Sequence, residues 1–100
     1  MIDDHILILE IIMKTYWITG ASSGIGEALA KTLFKQGHQI ILSARNEAKL
    51  KELHDGMGSS PRVAVLPFDL RDVDHAANVA QKAVSLFGHI DVVVLNAALS

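Results

Sequence analysis

The sequence predicts an α/β fold, a doubly wound parallel sheet with helices on both faces. Three observations predict it. Short β-branched or aromatic runs alternate with amphipathic helical stretches from about residue 14 onward. One strand candidate, Ile40-Ile41-Leu42, is continuously apolar, as a strand buried on both faces must be. A glycine-rich segment, Gly20 to Gly26, sits between the first strand and the first helix.

The first strand is Tyr16 to Thr19, rich in aromatic and β-branched residues. Gly24 to Gln36 reads as a helix. Ile25, Ala28, Leu29 and Leu33 fall at i, i+3, i+4 and i+8, the expected apolar stripe, with Glu27, Lys31 and Lys35 on other faces. Gly37 is placed to end it in the left-handed conformation. Gln39 to Ser43 is the second strand. Asn46 is expected to cap a helix reaching to about His54, followed by a loop from Gly56 to Pro61. Arg62 to Phe68 holds the third strand, its end limited by Pro67. Asp72 is the expected cap of the next helix. Its stripe would be Val73, Ala76, Ala77, Ala80, Ala83, Val84 and Phe87, ended by Gly88. Ile90 to Leu95 is the fourth strand.

The order β-α-β-α-β-α-β calls for parallel strands joined by right-handed crossovers. The sequence stops at Ser100, directly after the fourth strand. A doubly wound sheet normally continues from there, so a domain truncated after that strand is expected. Its last strand would then be an unpaired apolar edge.

Residues 1–12 are expected to be an N-terminal extension without a functional role, and 13–100 the N-terminal part of the domain. Ile6 to Met13 is nearly all apolar but falls short of the about 20 residues a membrane span needs. Asp3 and Asp4 precede it, where a secretory signal would carry basic residues. Met13-Lys14-Thr15 reads as a natural start before a strand, and a buried extra strand is the alternative for the extension.

Composition narrows the function. Of 100 residues, 50% are apolar and 20% charged, enough for a real core. A net charge of −2 gives no basic field for nucleic acid or an anionic membrane, and neither partner is expected. Without cysteine there is neither a disulfide framework nor a thiolate metal site, which fits a reducing, cytoplasmic setting. His5, His38, His54, His75 and His89 show no metal-ligand spacing, so no metal is expected. Glu47, Lys49, Lys51, Glu52 and Asp55 read as a solvated helix surface.

The turn Thr19-Gly20-Ala21-Ser22-Ser23-Gly24-Ile25-Gly26 carries the chemistry. A pyrophosphate needs a sharp turn, close approach to the main chain, and unpaired helix N–H groups facing it. Glycines meet the first two needs. The helix start supplies donors and a partial positive charge, and Ser22 and Ser23 add hydroxyls. A ligand-free glycine loop is the alternative, but the placement between strand and helix favours nucleotide binding. No Lys-Ser/Thr pair follows the last glycine, which argues against a P-loop.

The T-G-x-x-x-G-x-G spacing resembles that of the classical short-chain dehydrogenase/reductase family. The resemblance runs from Lys14 to Ser100. It implies a Rossmann-type sheet and hydride transfer between a nicotinamide dinucleotide and a small-molecule carbonyl or alcohol. It makes Gly20, Ser22, Ser23, Gly24, Ile25 and Gly26 cofactor-binding residues. Asp69-Leu70 resembles the family's adenine-contacting element. Leu95-Asn96-Ala97-Ala98 resembles its N-N-A-G element, with Leu95 for Asn and Ala98 for Gly. Asn96, Ala97 and Ala98 are therefore further expected contacts, although Ala98 adds a methyl group.

Cofactor choice is read at the end of the second strand. An NAD site places an acid there, about 20 residues past the motif. Here the segment is Ser43-Ala44-Arg45-Asn46. Arg45 can meet a 2′-phosphate with a planar fork of donors, so NADP is expected rather than NAD. A surface charge paired with Glu47 is the alternative for Arg45.

The family's catalytic acid/base is a Tyr followed four residues later by Lys, with a Ser upstream. The single tyrosine is Tyr16, in the first strand, with Gly20 four residues on. No catalytic residue is expected within this chain, which alone should bind NADP without reducing a substrate. A full-length form is expected to be a homo-oligomer. A non-catalytic dinucleotide-binding module and a scaffold without ligand are the competing readings, between which fold cannot choose.

Overall fold

Successive strand residues point to opposite faces of a sheet, and the computed structural model shows helices on both faces. It describes residues 13–69 and 71–96. The elements are β1 (Thr15–Thr19), α1 (Gly24–Lys35), β2 (Gln39–Ser43), α2 (Glu47–Gly56) and β3 (Val63–Val65), then a 3₁₀ turn (Val73–His75), α3 (Ala76–Phe87) and β4 (Val92–Val94). The strands form one sheet in the order β3-β2-β1-β4, and every pairing is parallel. Tyr16 stands opposite Ile40 on one side and Val92 on the other.

The expected fold class holds. Ile18, Ile40 and Leu42 face one layer, where Ala30 and Leu33 of α1 and Leu50 and Leu53 of α2 bury them. Trp17 and Ile41 face the other, against Ala83 and the half-buried Val79, Ala80 and Phe87 of α3. Ile40, Ile41 and Leu42 are fully buried, as a strand covered on both faces requires. Polar groups in the second layer are paired. The Trp17 indole N–H donates to Ser43 Oγ at 2.8 Å, and that hydroxyl donates to the Leu66 carbonyl at 2.6 Å.

Helix ends follow local chemistry. Asn46 caps α2, its side chain accepting from the Lys49 amide at 3.1 Å. Gly37 and Gly88 lie at φ +94° and +85°, ending α1 and α3 as expected.

Three expectations change. On α1 the buried residues are Gly26, Ala30 and Leu33, whereas Ile25 is 79% exposed and Ala28 is also exposed. Leu29 and Leu33 of the expected stripe do pack into the core, so the period is right and the buried face is turned toward Gly26 and Ala30. The helix rests on its small residues because they allow the closest approach to the sheet. Asp72 does not cap a helix with its side chain, since its carboxylate meets His75 Nδ1 at 2.8 Å. A 3₁₀ turn therefore precedes α3, and Val73, Ala76, Ala77 and Val84 of the expected stripe are exposed. The ladders of β3 and β4 are also shorter than expected. Even so, the Leu66 and Phe68 amides still bond the Leu42 and Ala44 carbonyls, at 2.8 and 3.0 Å. β4 forms an edge of the sheet, with Val93 and Leu95 exposed. Residues 1–12, Leu70, Ala97 and Ala98 lie outside the described residues.

Candidate cofactor-binding site

The carboxyl ends of β1, β2 and β4 meet at the glycine turn. The Ala21 amide donates to the Ser43 carbonyl at 3.0 Å, tying the turn to β2. On the other side, Thr19 Oγ1 donates to the Val94 carbonyl at 2.9 Å. The same oxygen accepts the Asn96 amide at 3.0 Å, and Asn96 Nδ2 donates to the Gly20 carbonyl at 3.3 Å. The turn is thus fixed by both neighbouring strands.

Two glycines are demanded by contact. Gly20 has φ +65°, and a Cβ there would overlap the Asn96 carbonyl oxygen. A Cβ on Gly26 would overlap the Gly20 carbonyl oxygen and stand 2.7 Å from Asn96 Nδ2. Gly26 therefore seats α1 directly on the turn.

Ser23 precedes α1 in an extended conformation and makes no side-chain capping bond. The first-turn amides of α1 thus have no side-chain acceptor, and such amides are an anion-binding array. Ile25 sits on the exposed side of the same turn. Next to it lies an open cavity of about 570 Å³ lined by Ser22, Ser23, Arg45, Asn46 and Lys49. That volume suits part of a small-molecule ligand.

Arg45 follows the buried Ala44 at the end of β2 and is exposed. The alternative pairing with Glu47 is not found, because Glu47 pairs with Lys51 at 3.9 Å. Asp69 is held by Arg71. The Arg71 guanidinium donates to Asp69 Oδ2 at 3.0 Å through one NH2 group, and the Arg71 amide reaches Oδ1 at 2.9 Å. These bonds, the side-chain ones first, lower the Asp69 pKa below its usual 3.8, and the charge of Arg45 adds to the effect. Asp69 and Arg45 therefore share one electrostatic neighbourhood.

The structure brings together Gly20, Ser22, Ser23, Gly24, Ile25, Gly26, Arg45 and Asn96, with Asp69 nearby. Lys49 also lines the cavity, although in the sequence it reads as one charge among several on α2. Tyr16 is far from such chemistry in role: it is half-buried in β1, its ring edge-on to His38 at 5.0 Å. Among the described residues there is no metal-binding cluster and no helix long and apolar enough to cross a membrane.

A parallel sheet in this order, with its first strand–helix turn clamped by both neighbours, defines a Rossmann-type α/β domain. The sequence model of the short chain dehydrogenase family matches residues 14–100, and the chain belongs to that family. It is 37% identical over 94 residues to a "Dehydrogenase/reductase SDR family protein 7-like" of Anopheles gambiae, a match covering 87% of this chain and 29% of that protein. A "Short-chain dehydrogenase/reductase SDR:Glucose/ribitol dehydrogenase" from Brucella melitensis superposes with a TM-score of 0.79 at 30% identity, over 87% of this chain and 37% of that one. A 3-ketoacyl-(acyl-carrier-protein) reductase from Brucella melitensis, complexed with NADH, gives a TM-score of 0.72 at 28% identity, over 80% of this chain and 32% of that one. The chain spans well under half the length of each of these relatives.

Proposed function

We propose that this chain is the cofactor-binding part of an NADP(H)-dependent oxidoreductase that interconverts a small-molecule carbonyl and alcohol. The bound dinucleotide would supply or accept the hydride at its nicotinamide ring. The first-turn amides of α1 would receive the pyrophosphate, with Ser22 and Ser23 alongside. Asp69 would accept from the adenine amino group, and Arg45 would meet the 2′-phosphate.

One observation carries the choice of NADP. The end of β2 presents the buried Ala44 where an NAD site has an acid, and the exposed Arg45 follows without an ion-pair partner among the described residues. The Brucella melitensis reductase complexed with NADH supports a nicotinamide cofactor in general, and Arg45 supports the phosphorylated form. Titrating NADPH and NADH by fluorescence tests this. Arg45→Ala should weaken NADPH about ten- to a hundred-fold more than NADH, the size of a charge-assisted hydrogen bond. Equal weakening of both would sink the assignment.

A non-catalytic dinucleotide-binding module is the second reading. Tyr16 packs in β1 against His38, away from any catalytic role, so a Tyr-x-x-x-Lys element in a longer form would decide against this reading and its absence there would support it. Under either reading these 100 residues bind cofactor without turnover, and carbonyl-dependent NADPH oxidation by the purified chain would contradict that. A cytoplasmic setting and a homo-oligomeric full-length form belong to the same proposal. The lack of cysteine supports the first.

A further inference from the structure

Cations are unevenly matched around the glycine turn. Glu27 pairs with Lys31 at 3.2 Å, Glu47 with Lys51 at 3.9 Å, and Asp69 with Arg71 at 3.0 Å. The acids closest to the site in sequence are therefore engaged by other cations. Arg45 and Lys49 take no part in any ion pair among the described residues, and both line the cavity beside Ser22 and Ser23. No acidic side chain lines it.

Two like charges on one rim repel, and an anion between them relieves that repulsion. A phosphate monoester carries about −1.5 to −2 charges at neutral pH, more than one guanidinium neutralises. Local structure fixes the backbone that carries the pair. Asn46 Oδ1 accepts the Lys49 amide at 3.1 Å, which fixes the start of α2 and leaves the Asn46 Nδ2 group as a further donor on the cavity wall. The rim thus offers a guanidinium, an ammonium, an amide and two hydroxyls.

We propose that Lys49 is the second cation of the 2′-phosphate subsite, acting with Arg45 on the phosphate dianion. This rests on the NADP(H) reading above and assigns a specificity role to a residue of α2. Arg45 supplies directed hydrogen bonds, while Lys49 supplies a mobile point charge that closes over the phosphate.

Fluorescence titrations of NADPH and NADH against the wild-type chain, Lys49→Ala, Lys49→Arg and Arg45→Ala test it. Lys49→Ala should weaken NADPH about two- to fivefold, the upper range of an exposed charge contact, with NADH affinity unchanged. Lys49→Arg should restore NADPH binding. The salt dependence of NADPH binding should also be shallower in Lys49→Ala. If Arg45→Ala is selective against NADPH and Lys49→Ala is not, the Lys49 role is overturned and the NADP(H) reading stands. Equal loss of both cofactors in Lys49→Ala would also overturn it, as that marks a merely structural effect. If the wild type binds NADH as well as NADPH and neither alanine variant changes the ratio, both proposals fall.

Discussion

Asn96 donates its side-chain amide to the Gly20 carbonyl at 3.3 Å, joining the ends of β4 and β1 across 76 residues of sequence. The bond requires the two backbones to lie almost in contact. Gly20 permits this in two ways, by its left-handed φ and by leaving room for the Asn96 carbonyl oxygen. Gly26 meets the same pair from the helix side.

Gly20→Ala should therefore cost more than a substitution that strains the backbone alone. Left-handed strain costs about 1–2 kcal/mol, and overlap with a fixed neighbour adds about 1–3 kcal/mol. Gly24→Ala is the comparison, because Gly24 has φ +60° but its Cβ would meet no atom within 4 Å. Urea unfolding followed by Trp17 fluorescence would measure both. Equal losses in the two variants would show that the Gly20–Asn96 contact yields without cost.

Asp69 should titrate below the ordinary carboxylate value, chiefly because Arg71 hydrogen-bonds its charged form. A group with a depressed folded pKa contributes stability above its unfolded pKa, near 3.8. That contribution is lost as pH falls through the lowered folded value, so it changes only in acid. At neutral pH Asp69 is a pure acceptor, as an adenine amino group requires. Arg71→Ala should move the pKa upward but not fully to the ordinary value, since the residue-71 amide still reaches Oδ1. A carboxyl-carbon NMR titration reads this directly. An unshifted Asp69 in the wild type would refute the account.

Much of this was legible in the sequence, and the exceptions have physical causes. Ile40-Ile41-Leu42 announced a doubly covered strand because burial on both faces leaves no polar position. The glycine turn was legible because its spacing reflects backbone demands rather than packing. The phase of α1 was not, because a stripe read from large apolar residues overlooks Gly26 and Ala30, whose smallness brings the helix onto the sheet. Val73 was misplaced for a similar local reason, the bond between Asp72 and His75 that favours a tight turn over a capped helix. Lys49 needed the fold itself. Only when the Ser22-Ser23 turn is set beside the start of α2 does its charge gain a cavity to face.

The last prediction concerns Ala44, which is 7% exposed and directly follows β2, immediately before Arg45. Its carbonyl holds the Phe68 amide at 3.0 Å, so its backbone position is fixed. A carboxylate introduced here would stand where NAD sites bond the ribose hydroxyls, and it would repel a 2′-phosphate. It would also draw the Arg45 guanidinium away from the phosphate. Ala44→Asp should shift the ratio of NADPH to NADH affinity toward NADH by roughly tenfold or more, about 1.4 kcal/mol for each factor of ten. Ala44→Asn has nearly the same size without the charge, and it should retain the NADPH preference. Paired cofactor titrations of the two variants, with thermal melts to confirm folding, decide the matter. If Asn shifts the ratio as far as Asp does, bulk at the strand end governs the cofactor, and the electrostatic reading of Ala44 and Arg45 fails.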